Sequence, residues 1–191
     1  MLTLLCVLSA VRMSAATGVA DENIMGAPAR GEIQLTLALL KPTVVSYQPD
    51  VSAILRHIKK SGLDVVRTRK LFWTVPEATK FYAEHEGRFY FPRLITSMTS
   101  GPSMALALSG PDAIQRWRAM LGATKVYRGK WEEPHPIGLR ATYGLGDTRN
   151  GFHGSDSNEN AEKELGLIFE GWDTRWWLDR AKKMAAGVEV D

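Results

Sequence analysis

Apolar positions along the chain fall into two rhythms, and their order lays out the elements. Ile33 to Leu40 is a dense apolar run stopped by Lys41-Pro42, and its length predicts a buried strand. Val51, Ile54, Leu55 and Ile58 recur at helical spacing, with Asp50 as the expected cap and Gly62 as the stop. Leu63 to Thr74 predicts a second strand, in which Arg67 and Arg69 are expected to be exposed. Pro76-Glu77 opens a helix carrying Phe81 and Tyr82, and after a break at Glu84 to Gly87 a second helix bears Leu94, Ile95 and Met98 up to Gly101-Pro102. Ser103 to Ser109 predicts a third strand, and Gly110-Pro111-Asp112 leads into a helix with Ile114, Trp117 and Leu121 inward, ended by Gly122. Thr124 to Asp147 shows neither rhythm and is expected to be a long irregular section. A strand at His153 and a helix from Asn158 to Phe169 follow, with Ala161, Leu165 and Ile168 at helical spacing. Strand, helix, strand, helices, strand, helix, strand, helix is the order of a ferredoxin-like split βαβ sandwich. The expected class is therefore α+β, an antiparallel sheet covered by helices.

Composition narrows this. With 191 residues and 45% hydrophobic content, the chain suits one folded domain, here 31–170, with terminal excess on either side. Residues 171–191 form an expected helical tail in which Trp172, Trp176 and Trp177 either dock on the fold or meet a partner. Residues 1–30 are expected to be a leader. Its apolar run, Leu2 to Val11, is well short of the roughly 18 residues that span a bilayer, so no membrane span is expected. It has no acid before Asp21 and carries Arg12, Ser9, Ser14 and Thr17, which favours a mitochondrial presequence over a cytoplasmic extension or a secretory signal.

Charge and thiols exclude several classes. Lys+Arg of 24 against Asp+Glu of 21 gives +3, too mild a surplus for a nucleic-acid surface, although the 124–140 section is basic. Cys6 is the single cysteine, so there is no intrachain disulfide and no cysteine zinc site. His57, His85, His135 and His153 make no HxxxH or HExxH pattern, and neither GxxxxGK[ST] nor GxGxxG occurs.

The candidate chemistry lies in Arg149-Asn150-Gly151-Phe152-His153-Gly154-Ser155-Asp156-Ser157. A mostly neutral imidazole can attack phosphorus if a partner fixes its other nitrogen and cations hold the incoming phosphates. The plainer alternative is a loop histidine with no chemistry. Glu164 lies eleven positions beyond His153 and reaches it only if the chain folds back. Lys41, at the end of a buried strand, either snorkels to solvent or serves as a phosphate ligand at the sheet edge. The aromatics at 89–91 belong to a core or to a base-stacking surface.

Leu39-Leu40-Lys41-Pro42, Ser100-Gly101-Pro102, Arg118-Ala119-Met120-Leu121-Gly122 with Thr124, and Arg149-Asn150 with His153-Gly154-Ser155-Asp156-Ser157 follow one another in this order. Together they resemble the nucleoside diphosphate kinase family, over about Ile33 to Phe169. His85-Glu86-Gly87-Arg88-Phe89 and Gly146-Asp147-Thr148-Arg149-Asn150 are most similar to its divergent type-six branch, which is associated with mitochondria. The resemblance implies an enzyme that moves the γ-phosphoryl of a nucleoside triphosphate such as ATP to a nucleoside diphosphate, by a ping-pong route through phosphohistidine. It implies His153 as the phosphorylated residue, with Glu164 and Ser155 orienting it. Lys41, Arg118, Thr124, Arg140 and Asn150 would hold phosphates and ribose, Tyr82 would sit beside the histidine, and Tyr90 and Leu94 would meet the base. Magnesium would enter with the nucleotide, bridging its phosphates, while the residues themselves leave a hydroxyl or carboxylate site for it open.

This sequence departs from the family at three places. Thr43 stands where an acid is common, Tyr90 where phenylalanine is usual, and the section from Thr124 to Arg140 is longer by roughly five residues. That section packs against neighbouring subunits in the common form, so a homo-oligomer or another protein partner is left open here. The competing reading is a weakly active member that acts mainly as a nucleotide-binding partner in organelle nucleotide metabolism. Histidine phosphatase chemistry needs an Arg-His-Gly run, and Phe152 occupies the arginine's place.

Overall fold

The computed structural model describes residues 31–131 and 138–188. The leader expected at 1–30 lies outside them, as do Pro134, His135 and Pro136. The elements are β1 (Ile33–Leu40), α1 (Pro42–Val45), α2 (Gln48–Lys60), β2 (Asp64–Phe72), α3 (Val75–Phe81), α4 (Phe91–Met98), β3 (Pro102–Pro111), α5 (Ala113–Leu121), α6 (Val126–Trp131), α7 (Gly138–Tyr143), β4 (Phe152–Gly154), α8 (Asn158–Ile168) and α9 (Thr174–Ala185). A single 3-10 turn, Ala83–His85, joins α3 to the approach to α4.

The four strands form one antiparallel sheet in the order β2-β3-β1-β4. This is the expected α+β sandwich. β1 lies inside the sheet with both faces covered, which is why its apolar run is continuous instead of alternating. Ala38 and Leu40 pack with Val51, Ile54 and Ile58 of α2 and Trp117 and Leu121 of α5. Leu35, Leu37 and Leu39 pack on the other face with Leu94 and Met98 of α4 and Leu165 and Ile168 of α8. The edge places of the sheet go to β2 and to the three-residue β4, and β4 is the strand that carries His153.

Several local expectations are corrected. α2 starts at Gln48, so Asp50 sits in its first turn and Tyr47 occupies the cap position without a side-chain bond. Asp112 precedes α5 in a left-handed conformation, φ 50°, also without a capping bond. The 124–147 section is not wholly irregular, since it contains α6 and α7. Arg67 and Arg69 are not idle surface charges: they donate to Glu170 O and Ile168 O, carbonyls at and just past the end of α8 that the helix itself leaves open. That clasp fixes α8 against the sheet. Trp172 and Trp177 of the tail stack at 5.3 Å and pack on the second core cluster, while Trp176 stays half exposed.

Candidate active site

β4 brings His153 opposite Leu39, one residue from the end of β1. The approach to β4 is set by Gly151, whose φ of 82° belongs to glycine and whose carbonyl accepts from Lys41 N at 2.9 Å. Behind the strand, Trp117 Nε1 donates to His153 O at 3.1 Å, and the Trp117 ring lies where a Cβ on Gly154 would stand. The imidazole is thus held from its backbone side. Phe81 and Tyr82 hold its ring side, edge-on at centroid separations of 5.2 and 5.9 Å.

The chain does fold back. After Gly154 it turns, Ser157 caps α8 by accepting from Asn160 N at 3.1 Å, and the helix runs back across β1. About two turns into α8, Glu164 Oε1 stands 3.0 Å from His153 Nε2. The approach is close but poorly directed, because Nε2 is buried without a well-aligned hydrogen bond. The contact is therefore electrostatic first. The other carboxylate oxygen, Oε2, accepts from the Ser155 hydroxyl at 2.6 Å, and the Ser155 oxygen itself accepts from Leu37 N at 3.1 Å. Backbone of β1 thus orients Ser155, Ser155 orients Glu164, and Glu164 faces the imidazole.

Cations gather beside this relay. Lys41 is only 4% exposed, so it does not reach solvent; its Nζ donates to Asn150 Oδ1 at 2.9 Å and lies 5.8 Å over the Tyr82 ring. Burial, with a smaller push from Arg140, lowers its pKa to about 7. Arg140 donates from one terminal nitrogen to Gly122 O at 3.0 Å, while its Nε is buried with no acceptor among the described residues. Burial and then Arg118 bring its pKa down to about 10, Tyr82 partly opposing. Arg118 donates to Gly154 O at 3.3 Å. The Tyr82 hydroxyl, pushed up by burial first and by Glu164 second, remains protonated and donates to Met98 Sδ at 3.7 Å.

His153, Glu164, Ser155, Lys41, Asn150, Arg140, Arg118 and Tyr82 therefore share one neighbourhood. Thr124 lies on the exposed turn between α5 and α6, and no contact ties it to that group among the described residues. Leu94 is 6% exposed and faces the second core cluster, which leaves it little surface for a base. Tyr90 is half buried at the start of α4. Sequence reasoning passed over a cleft of about 360 Å³ between Arg93 and Thr96 of α4 and the Leu145–Arg149 turn. Arg93 and Thr96 fall off the apolar stripe of α4, and that was the available signal. Phe81 was noted only for its helix, and its ring contact with His153 needed the fold to be seen.

The family model described as nucleoside diphosphate kinase matches residues 34–173. Nucleoside diphosphate kinase 6 of Mus musculus is 41% identical over 156 residues, covering 81% of this chain and 82% of the relative. The protein of the same name from Danio rerio is 41% identical over 148 residues, 78% of this chain and 83% of the relative. Among solved structures, the Aquifex aeolicus nucleoside diphosphate kinase superposes with a TM-score of 0.67 at 32% identity, covering 73% of this chain and 96% of that one. A halophilic nucleoside diphosphate kinase from Halobacterium salinarum in complex with CDP gives 0.64 at 28%, covering 76% and 97%.

Proposed function

The chain belongs to the nucleoside diphosphate kinase family, on its type-six branch, and from that premise we propose that it transfers the γ-phosphoryl of a nucleoside triphosphate to a nucleoside diphosphate through His153. One observation carries the reading. Two cations, the buried Lys41 and the partly buried Arg140, stand near one imidazole with neutral oxygens as their acceptors, and the Arg140 Nε has none among the described residues. Buried charge without an opposite partner is costly, and an incoming polyphosphate would supply that partner.

In this scheme Nε2 is turned to Glu164, which leaves Nδ1 as the nucleophile. The Nδ1 lone pair forms the bond to the γ-phosphorus as the bond to the β,γ-bridging oxygen breaks, and the nucleoside diphosphate leaves with that oxygen. Glu164 stabilises the positive charge that develops on the ring. A terminal oxygen of a second diphosphate then takes the phosphoryl group from Nδ1 and restores the free imidazole. Lys41 and Arg140 offset charge on the transferring group, and Arg118 adds a third cation from α5. Asn150 holds Lys41 in place for this.

The donors for magnesium would be the nucleotide's own phosphate oxygens, the ion entering with the nucleotide. Bound there, the ion would neutralise phosphate charge. The base would lie toward Tyr90 and the cleft between α4 and the 145–149 turn. CDP in the Halobacterium protein supports a pyrimidine nucleotide as one occupant of such a site. The acid-free start of the chain before Asp21 supports mitochondrial import, which fractionation of cells expressing a tagged full chain tests.

The test is retention of label from radiolabelled ATP on the purified chain. Label stable to base, lost in acid, discharged by a second diphosphate and absent from His153→Ala is expected. Equal labelling of His153→Ala overturns the assignment.

A further inference from the structure

Resting on that reading, we propose that His85 is a positioning residue for nucleotide binding: it fixes Tyr90 as the platform for the base and ties that platform to the reactive histidine. His85 sits in the 3-10 turn after α3, and its Nδ1 lies 3.2 Å from the Tyr90 hydroxyl. Its Nε2 lies 3.5 Å from Glu84 Oε1. With a carboxylate facing Nε2, the neutral ring carries its proton there and leaves Nδ1 as an acceptor, so the Tyr90 O–H donates to it. The ring of His85 stands 5.8 Å from Tyr90 and 5.9 Å from Tyr82, and Tyr82 stands 5.9 Å from His153. Four rings, Tyr90, His85, Tyr82 and His153, thus neighbour one another in succession up to the nucleophile.

Tyr90 needs such an anchor. It occupies the cap position of α4 without a side-chain capping bond, and its outer neighbour Phe89 is 84% exposed. The loop before it contains Gly87, with φ of 79° and open space around it; backbone bonds from Arg88 N to His85 O and from Phe91 N to Arg88 O tie the segment, and the bond to His85 is what orients the Tyr90 hydroxyl. A tyrosine can donate this bond where a phenylalanine could not. The hydroxyl lets the chain set the ring's orientation before the nucleotide arrives, which lowers the ordering cost of binding.

The experiment is a double-mutant cycle on the full chain, read by titration with a fluorescent ADP analogue and by KM and kcat of phosphoryl exchange. His85→Ala is expected to weaken ADP binding and raise KM about two- to tenfold, the range of one neutral hydrogen bond, with kcat and label on His153 retained. His85→Asn, which keeps an acceptor near the Nδ1 position, should recover most of the loss. In Tyr90→Phe, which lacks the hydroxyl, His85→Ala should add nothing further. Additive losses, unchanged binding in His85→Ala, or a fall in kcat at constant KM overturns the proposal. The titration needs no turnover, so an inactive chain that binds ADP defeats the phosphoryl-transfer reading alone, and a wild-type chain that binds no nucleotide defeats both.

Discussion

The Ser155 hydroxyl donates to Glu164 Oε2 at 2.6 Å while its oxygen accepts from Leu37 N, so a backbone amide of the central strand sets the carboxylate that faces His153. Ser155 is fully buried, and its bond to an ionised acceptor is of the stronger kind. Ser155→Ala should lower the rate of His153 phosphorylation about ten- to hundredfold, the worth of one hydrogen bond to a charged group. Glu164→Gln should lower it by a similar factor, and the double variant should lose little more, because both act on one imidazole. Single-turnover labelling with ATP checks this; independent, multiplying losses would contradict the relay.

Lys41 makes folding stability depend on pH. Its ordinary pKa of 10.5 is lowered to about 7, chiefly by burial. Between these values the unfolded chain binds more protons at this site than the folded one, so stability rises with pH through the window; below about 7 the folded protein bears the full cost of a buried ammonium. Lys41→Met should therefore be more stable than the parent near pH 6, and the rise between about 7 and 10.5 should shrink. Nucleotide binding has the opposite dependence, since phosphate favours the charged amine, and affinity should fall as pH climbs above about 7 in the parent alone. Urea unfolding and ADP titration at pH 6, 8 and 10 test both signs.

Elements with one buried stripe were legible from spacing. α2 and α8 each carry theirs at helical period, and β1 is apolar throughout because both its faces are covered. α6 and α7 were not legible. Each has six residues, with glycine inside or at its start and few buried side chains, so neither imposes a period. At the site, the motif residues could be named from the sequence, but their distances could not. The direction in which α8 leaves β4 decides whether Glu164 meets His153, and the Arg67 and Arg69 clasp that holds that direction joins residues about a hundred positions apart. The His85–Tyr90 bond spans five residues of a broken helical stretch where no period predicts which rings meet.

Arg140 should show a trade between stability and binding. It is partly buried, its Nε lacks an acceptor among the described residues, and its pKa is held down at about 10 by burial and Arg118. Arg140→Met should raise the apo melting temperature by a few degrees, about 1 kcal/mol, while weakening ADP binding about a hundredfold. The stabilisation that excess ADP gives the parent should then largely vanish. Melting curves with and without ADP read both effects at once, and a variant less stable than the parent with intact ADP stabilisation would contradict them.

Gly154 tests whether the back of the site is as tight as its geometry says. A Cβ there would lie 2.5 Å from Trp117 Cδ1, 2.7 Å from its Nε1 and 3.3 Å from Leu121 Cδ1. Trp117 is fully buried, and the same Nε1 donates to His153 O, so it cannot yield without leaving the reactive strand unsupported. Gly154→Ala should cost about 1–3 kcal/mol by overpacking and should slow His153 labelling even in the folded fraction. Gly166, on α8 with open space at its Cβ position, is the control: Gly166→Ala should stabilise by about 0.5–1 kcal/mol through helix propensity, with labelling unchanged. Urea midpoints and labelling rates of the two variants separate the cases. If Gly154→Ala matched its control in both, Trp117 would have room to move, and the support it gives His153 would be incidental.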